Sequence, residues 1–258
     1  MNPLQTRMTY VGLRAIAPAG FVLAGGYALR AHGFGDRDSD DIDLFTDVLD
    51  PAPFATAVSD LVAACPADGL RADVVRQAPT FARLLVTAPD GATGKADLGV
   101  DHRGFPPVET GLGPVLAERD AVGSKAGALY SRLEPRDLLD LQAIRAGGRY
   151  PRETLLELAD ARESTPLDRP TFAGQLAALS RLPDTGFERY GAGPELIAVA
   201  RETARSWAAD RRPRAAQTPR LGPGPSLRPG PAGRRDHALL QGAQRSFDRS
   251  RPEPVDRP

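Results

Sequence analysis

The sequence predicts an α/β chain of the α+β kind: a mixed sheet with flanking helices, then a helical part and a disordered tail. Three observations carry this. Between residues 21 and 100, short apolar runs and period-two alternation recur between glycine, proline and aspartate turns. From about residue 117 to 209 the apolar spacing changes to that of helices. From residue 211 to 258, Pro, Gly and Arg recur with few large apolar residues, a composition that cannot bury a core. The 258 residues, 41% hydrophobic and 26% charged, are an ordinary globular composition with room for one large domain or two small ones. The expected division is 1–115, 116–210 and a tail at 211–258.

Composition narrows the function classes. Cys65 is the single cysteine, so an internal disulfide framework is excluded, and no Cys/His cluster suggests zinc. No apolar run is long enough to span a bilayer and the N-terminus lacks a signal-like apolar core, which predicts a cytoplasmic protein without membrane partners. The net charge of +0 hides an asymmetry, with +7 in residues 211–258 and −7 in residues 1–210. Of the 33 basic residues only Lys95 and Lys125 are lysine, so each lysine stands where a compact ammonium replaces the usual planar guanidinium.

In chain order, a short helix is expected around Tyr10 to Ala17, ended by Pro18 and Gly20. Phe21 to Ala24 reads as a strand, Gly25-Gly26 as a turn, and Tyr27 to His32 as a helix whose end His32 either caps or turns to a phosphate. After a polar loop, Asp41 to Phe45 alternates as a half-buried strand. Asp41 and Asp43 then project together while Ile42 and Leu44 face a core. Pro53 to Ala64 has Phe54, Val58, Leu61 and Val62 at helical spacing, with Cys65 as a small buried residue at its end.

Strands follow at 71–76, 81–87 and 95–100, the last two joined as a hairpin by Pro89-Asp90-Gly91. The third places Lys95, Asp97 and Gly99 on one face. Residues 102–116 read as a linker, with His102 on the surface. Helices are expected at 117–132, 135–145, 151–162, 171–180 and 194–209. Pro135 stands at a helix start, and Leu155, Leu158, Leu176, Leu179, Leu196 and Val199 are candidate bundle contacts.

Two carboxylates on one strand face repel and raise each other's pKa, a conflict that a divalent cation resolves, and acidic oxygens with open positions suit Mg²⁺. With Gly25-Gly26 ahead of it, Arg37-x-Ser39-x-Asp41-Ile42-Asp43 resembles the first motif of the polymerase-beta-like nucleotidyltransferases. Within them it is most similar to the AbiEii/AbiGii toxin family of type IV toxin–antitoxin systems. A second stretch supports the resemblance in the same order. Lys125, Ala128, Leu129 and Arg132 share a helix face, and Arg136-Asp137-x-x-Asp140 follows, with Arg136 able to pair with Asp140. This is similar to the lysine and R-D-x-x-D motifs of that family.

The resemblance implies a fold with the catalytic site in 1–115, completed by helices in 116–210, and an NTP as substrate. It implies Asp41 and Asp43 as catalytic residues holding Mg²⁺. Asp97 is either a third metal ligand or a polar residue on a solvated face. Gly25, Gly26 and Ser39 would lie at the phosphates, with Arg37 touching phosphate or bracing its loop. Lys125 would contact the triphosphate from the helical side, and Asp137 would position or activate the incoming hydroxyl. Asp140 would orient helices. The implied acceptor is an RNA, in particular a tRNA 3′ end, and a cognate antitoxin is the implied partner. Two alternatives compete: a nucleotidyltransferase acting on a small antibiotic-like acceptor, and a silent nucleotide- or partner-binding module of the same fold. The acidic balance of residues 1–210 does not by itself support nucleic-acid binding.

Overall fold

The computed structural model describes residues 1–163 and 165–209. The expected disordered tail at 211–258 lies outside these residues. The first helix, α1 (Pro3–Ile16), starts well before Tyr10. Asn2 accepts from the Gln5 amide and Gln5 returns a bond to the Asn2 amide, a capping box that apolar spacing does not reveal. The chain then enters β1 (Val22–Leu23), α2 (Gly25–Ala31), β2 (Asp41–Thr46) and α3 (Pro51–Ala64). A meander follows: β3 (Arg71–Ala78), β4 (Phe81–Thr87) and β5 (Thr93–Val100).

The segment expected to be a linker instead forms β6 (Val108–Thr110) and β7 (Gly113–Val115), and β7 pairs in parallel with β1. Each strand is three residues long and rich in Gly and Pro nearby, too short for alternation to register. The seven strands run in the order β3-β4-β5-β2-β1-β7-β6, with β2 and β5 parallel and most other pairs antiparallel. Helices α4 (Glu118–Arg132), α5 (Pro135–Ala146), α6 (Arg152–Arg162), α7 (Arg169–Leu179), α8 (Thr185–Glu188) and α9 (Pro194–Ala209) complete the described residues.

The pleat separates two chemistries. On one face Ile42, Leu44, Leu84, Ala96 and Leu98 are buried, and Leu44 packs on Gly12 of α1. That face lies against α1, which itself packs on α3. The opposite face carries Asp41, Asp43, Arg83 and Asp97, because alternate residues of a strand point to opposite sides. Charged residues crowd there, and only a cleft can accommodate them.

In the helical part, Leu155, Leu158, Leu176 and Leu179 are buried as expected, whereas Leu196 and Val199 are exposed at 42% and 48%. The face that α9 buries is Ile197, Ala200, Ala204 and Trp207, rotated from the expected one because α7 and α5 pack on that side. Cys65 is buried, and burial pushes its thiol pKa up, in keeping with a packing residue. No helix among the described residues is long and apolar enough to cross a membrane.

Candidate active site

Parallel pairing of β2 with β5 sets Asp43 directly beside Asp97, and Asp41 two residues away on the same face. These three carboxylates, together with Gly25, Gly26, Arg37, Ser39 and Lys125, line one cleft. Strand, glycine turn and helix residues that are up to 100 positions apart in sequence thus meet at one place. Asp137 does not line it.

Gly25 is the tightest point. It begins α2 with φ +61°, and a Cβ built there would fall 1.8 Å from Asp43 Oδ2. Both the left-handed backbone and the missing side chain are therefore required. Gly26 is different: a Cβ there would lie 3.7 Å from Arg37 and Ser39, an ordinary contact. The two glycines are the first turn of α2 and not a turn preceding it. His32 ends that helix and its imidazole lies 2.7 Å from the Leu116 carbonyl, so it joins α2 to the chain entering α4 and is absent from the cleft wall.

The loop before β2 is fixed from behind. Tyr27 donates to Gln5 at 2.5 Å, the Gln5 amide nitrogen donates to the Ser39 carbonyl at 2.7 Å, and the Ser39 amide donates to Tyr27 at 3.2 Å. Ser39 Oγ is thereby held 3.3 Å from Asp41. Arg37 lies bidentate on Asp140 at 3.0 and 3.1 Å, which ties the loop to α5. The expected pairing of Arg136 with Asp140 is not made, because Asp140 is occupied by Arg37 and, at 2.9 Å, by Lys125.

Lys125 reaches Asp137 at 3.1 Å, and Arg132 reaches the same oxygen at 2.9 Å. Asp137 is fully buried beneath them. Although burial alone would raise its pKa, Arg132, Lys125 and Arg136 hold its carboxyl well below the usual range. Asp137 is an ionised strut for Lys125. Asp140 is likewise held low against its burial, by Lys125 and Arg37.

The carboxylate face behaves in the opposite way. Asp43 keeps a partly open edge to the cleft, yet protein atoms enclose most of its carboxylate. Burial, reinforced by Asp41 and Asp97, pushes it up to about 7. Asp97 is engaged by Arg83, whose guanidinium meets it bidentate at 2.6 and 2.5 Å and stands 3.7 Å from Asp41. Sequence reasoning did not single out Arg83. It sits opposite Asp97 across the β4–β5 ladder, so the hairpin register was the signal that could have found it.

Among the described residues, no group of three or more His, Cys, Asp or Glu side chains is arranged to hold a metal ion. The donor set at Asp41 and Asp43 nevertheless fits a hard divalent cation that keeps open positions for phosphate oxygens. The close seat of Asp43 against Gly25, which any Cβ would displace, and the unrelieved repulsion at Asp43 both agree with that fit.

A mixed sheet bearing paired carboxylates on β2, faced by a lysine from a following helix, defines a nucleotidyltransferase. The profile of the family described as nucleotidyl transferase AbiEii toxin, type IV TA system, matches residues 13–226, and the chain belongs to that family. Among solved structures, the chain is similar to the nucleotidyltransferase toxin MenT4 from Mycobacterium tuberculosis H37Rv. The identity is 20%, with a TM-score of 0.55 over 80% of this chain and 83% of that one. It also matches JHP933 from Helicobacter pylori at 17% identity, with a TM-score of 0.47 over 95% and 96% of the two chains. No curated protein matches it.

Proposed function

We propose that this nucleotidyltransferase is Mg²⁺-dependent and transfers a nucleoside monophosphate from an NTP to a hydroxyl of RNA, with a tRNA 3′ end as the leading acceptor. The observation that carries this is the carboxylate pair Asp41/Asp43 set against Gly25, with Lys125 on the facing helix. On this reading residues 1–115 hold the reacting phosphate, 116–210 close over it, and the protein acts in the cytoplasm under a cognate antitoxin.

Asp41 and Asp43 would hold the cation, which when bound neutralises charge on the triphosphate oxygens. Asp97, already matched by Arg83, sets the field beside them without ligating. Gly25 leaves room for the Asp43 carboxylate, which any side chain there would displace from the cation. Ser39 is held beside Asp41 by Gln5 and Tyr27, and Arg37 braces the loop through Asp140. Lys125, oriented by Asp137 and Asp140, faces the leaving phosphates. In the reaction the acceptor oxygen bonds to the α-phosphorus and the bond to the bridging oxygen breaks. Pyrophosphate departs with that electron pair, and the hydroxyl proton passes to water. Asp137 is too deeply buried to meet the acceptor, so its role is to position Lys125.

The test is incubation of the protein with Mg²⁺, each radiolabelled NTP and total bacterial RNA, beside Asp43→Ala and Lys125→Ala. Label in RNA with wild type only is the expected result. Label on a small hydroxylated compound, with none in RNA, moves the acceptor class, and no transfer to anything overturns the reading.

A further inference from the structure

Five cationic side chains line the cleft: Arg37, Lys125, Arg132, Arg136 and Arg162. Four are neutralised within the protein. Arg37 lies on Asp140, Lys125 between Asp137 and Asp140, Arg132 on Asp137, and Arg162 on Asp120 and Asp101. Arg136 differs. It is only 8% exposed, its Nε is buried without a hydrogen-bond partner, and among the described residues no ion pair or hydrogen bond reaches its guanidinium.

The placement is unfavourable twice over. Arg136 stands in the first turn of α5, where the helix dipole disfavours positive charge. Its Nε has lost hydration that nothing replaces, its two terminal nitrogens look into the cleft without a protein partner, and arginine cannot escape by deprotonating. Asp41, Asp43 and Asp137 act on it from beyond contact distance and keep it charged. An anion entering the cleft relieves both penalties at once. The planar fork suits the bidentate geometry of a phosphate, and the carboxylates of the site admit an anion only with an accompanying cation, as a metal-bound triphosphate is.

We infer that Arg136 is the receiving group for the β- and γ-phosphates of the nucleotide, held unpaired by the fold until nucleotide arrives. The assignment rests on the nucleotidyltransferase reading for the identity of the anion. The unpaired, buried cation itself does not depend on it. Lys125 and Arg37 are already committed to Asp137 and Asp140, so they contribute field and orientation, whereas the terminal nitrogens of Arg136 have no protein partner to give up.

The experiment is calorimetric titration of the full chain with inorganic tripolyphosphate in Mg²⁺, for wild type, Arg136→Met and Arg136→Lys. A Mn²⁺ titration without phosphate and thermal unfolding of the ligand-free proteins run alongside. The expected result is a loss of about tenfold to a hundredfold in tripolyphosphate affinity for Arg136→Met, the order carried by one charge-assisted bidentate contact, with partial recovery in Arg136→Lys. Mn²⁺ binding should be no weaker than wild type, and Arg136→Met should still unfold in one cooperative transition above the titration temperature, because no hydrogen bond or contact ion pair leaves with the side chain. Unchanged tripolyphosphate affinity, or its loss together with Mn²⁺ binding or with cooperative unfolding, overturns the inference. Wild type that binds tripolyphosphate through Arg136 yet transfers no nucleotide would refute the activity and leave the anion site standing. Transfer that proceeds equally in all three proteins would refute the anion site alone.

Discussion

Replacing Asp43 by Asn is expected to make the metal-free protein more stable. The carboxyl is pushed from its ordinary 3.8 up to about 7 by burial and by Asp41 and Asp97. At about 1.4 kcal/mol per pH unit, holding it ionised above pH 7 costs on the order of 4 kcal/mol. Its edge is partly open to the cleft, where solvent screens the repulsion, so about half of that, roughly 2 kcal/mol, is the working figure. The sign follows from linkage. A carboxyl with a raised folded pKa binds more protons in the folded state, so stability falls as pH rises through the window from about 4 to about 7.

Asn is neutral at every pH and carries nearly the same shape. In EDTA at pH 8, Asp43→Asn should therefore unfold about 4–8 °C above wild type, given about 2–4 °C per kcal/mol for a domain of this size. The gap should roughly halve by pH 5.5 and close near pH 4. Millimolar Mg²⁺ should raise wild type and leave the variant unmoved, since the cation drives the carboxyl to its ionised form. Thermal unfolding by circular dichroism at three pH values measures all of this. A variant less stable than wild type at pH 8 in EDTA, or a gap that does not shrink with acid, refutes the account of the carboxylate face.

The opposite sign applies to the helical side. Asp137 is held low by Arg132 and Lys125, so its contribution is complete above the ordinary carboxylate pKa and is lost as pH falls towards its folded value. Asp137→Ala removes the buried anion that Lys125 and Arg132 share and should cost about 3 kcal/mol in urea unfolding at pH 7, the difference from wild type shrinking below about pH 4. Gly25→Ala should reduce transfer at least about a hundredfold, since a misplaced Asp43 carboxylate loses that much, while Gly26→Ala keeps activity within about threefold; steady-state transfer rates decide. Arg83→Met should tighten Mn²⁺ binding by about tenfold, because a positive charge 3.7 Å from Asp41 is removed and Asp97 loses its bidentate partner; Mn²⁺ titration followed by electron paramagnetic resonance checks it.

The sequence by itself determined what local rules can carry. Alternation around Ile42 and Leu44 placed Asp41 and Asp43 on a common face, and helical spacing placed Lys125 and Arg132 together, because strand and helix periods fix side-chain direction without reference to distant residues. The resemblance of the two motifs identified the family. What the tertiary structure decided is which charges meet. Arg83 opposes Asp97 only once the β4–β5 register is set, and Arg37 takes Asp140 only once the loop before β2 lies against α5. That competition leaves Arg136 unpaired, although helical spacing alone would have given it Asp140. The β6–β7 hairpin joins the sheet through β1, and strands of three residues are too short to announce it. Ion pairs and edge strands depend on contacts between segments far apart in the chain, and the periodicity of a single segment carries no information about its partner.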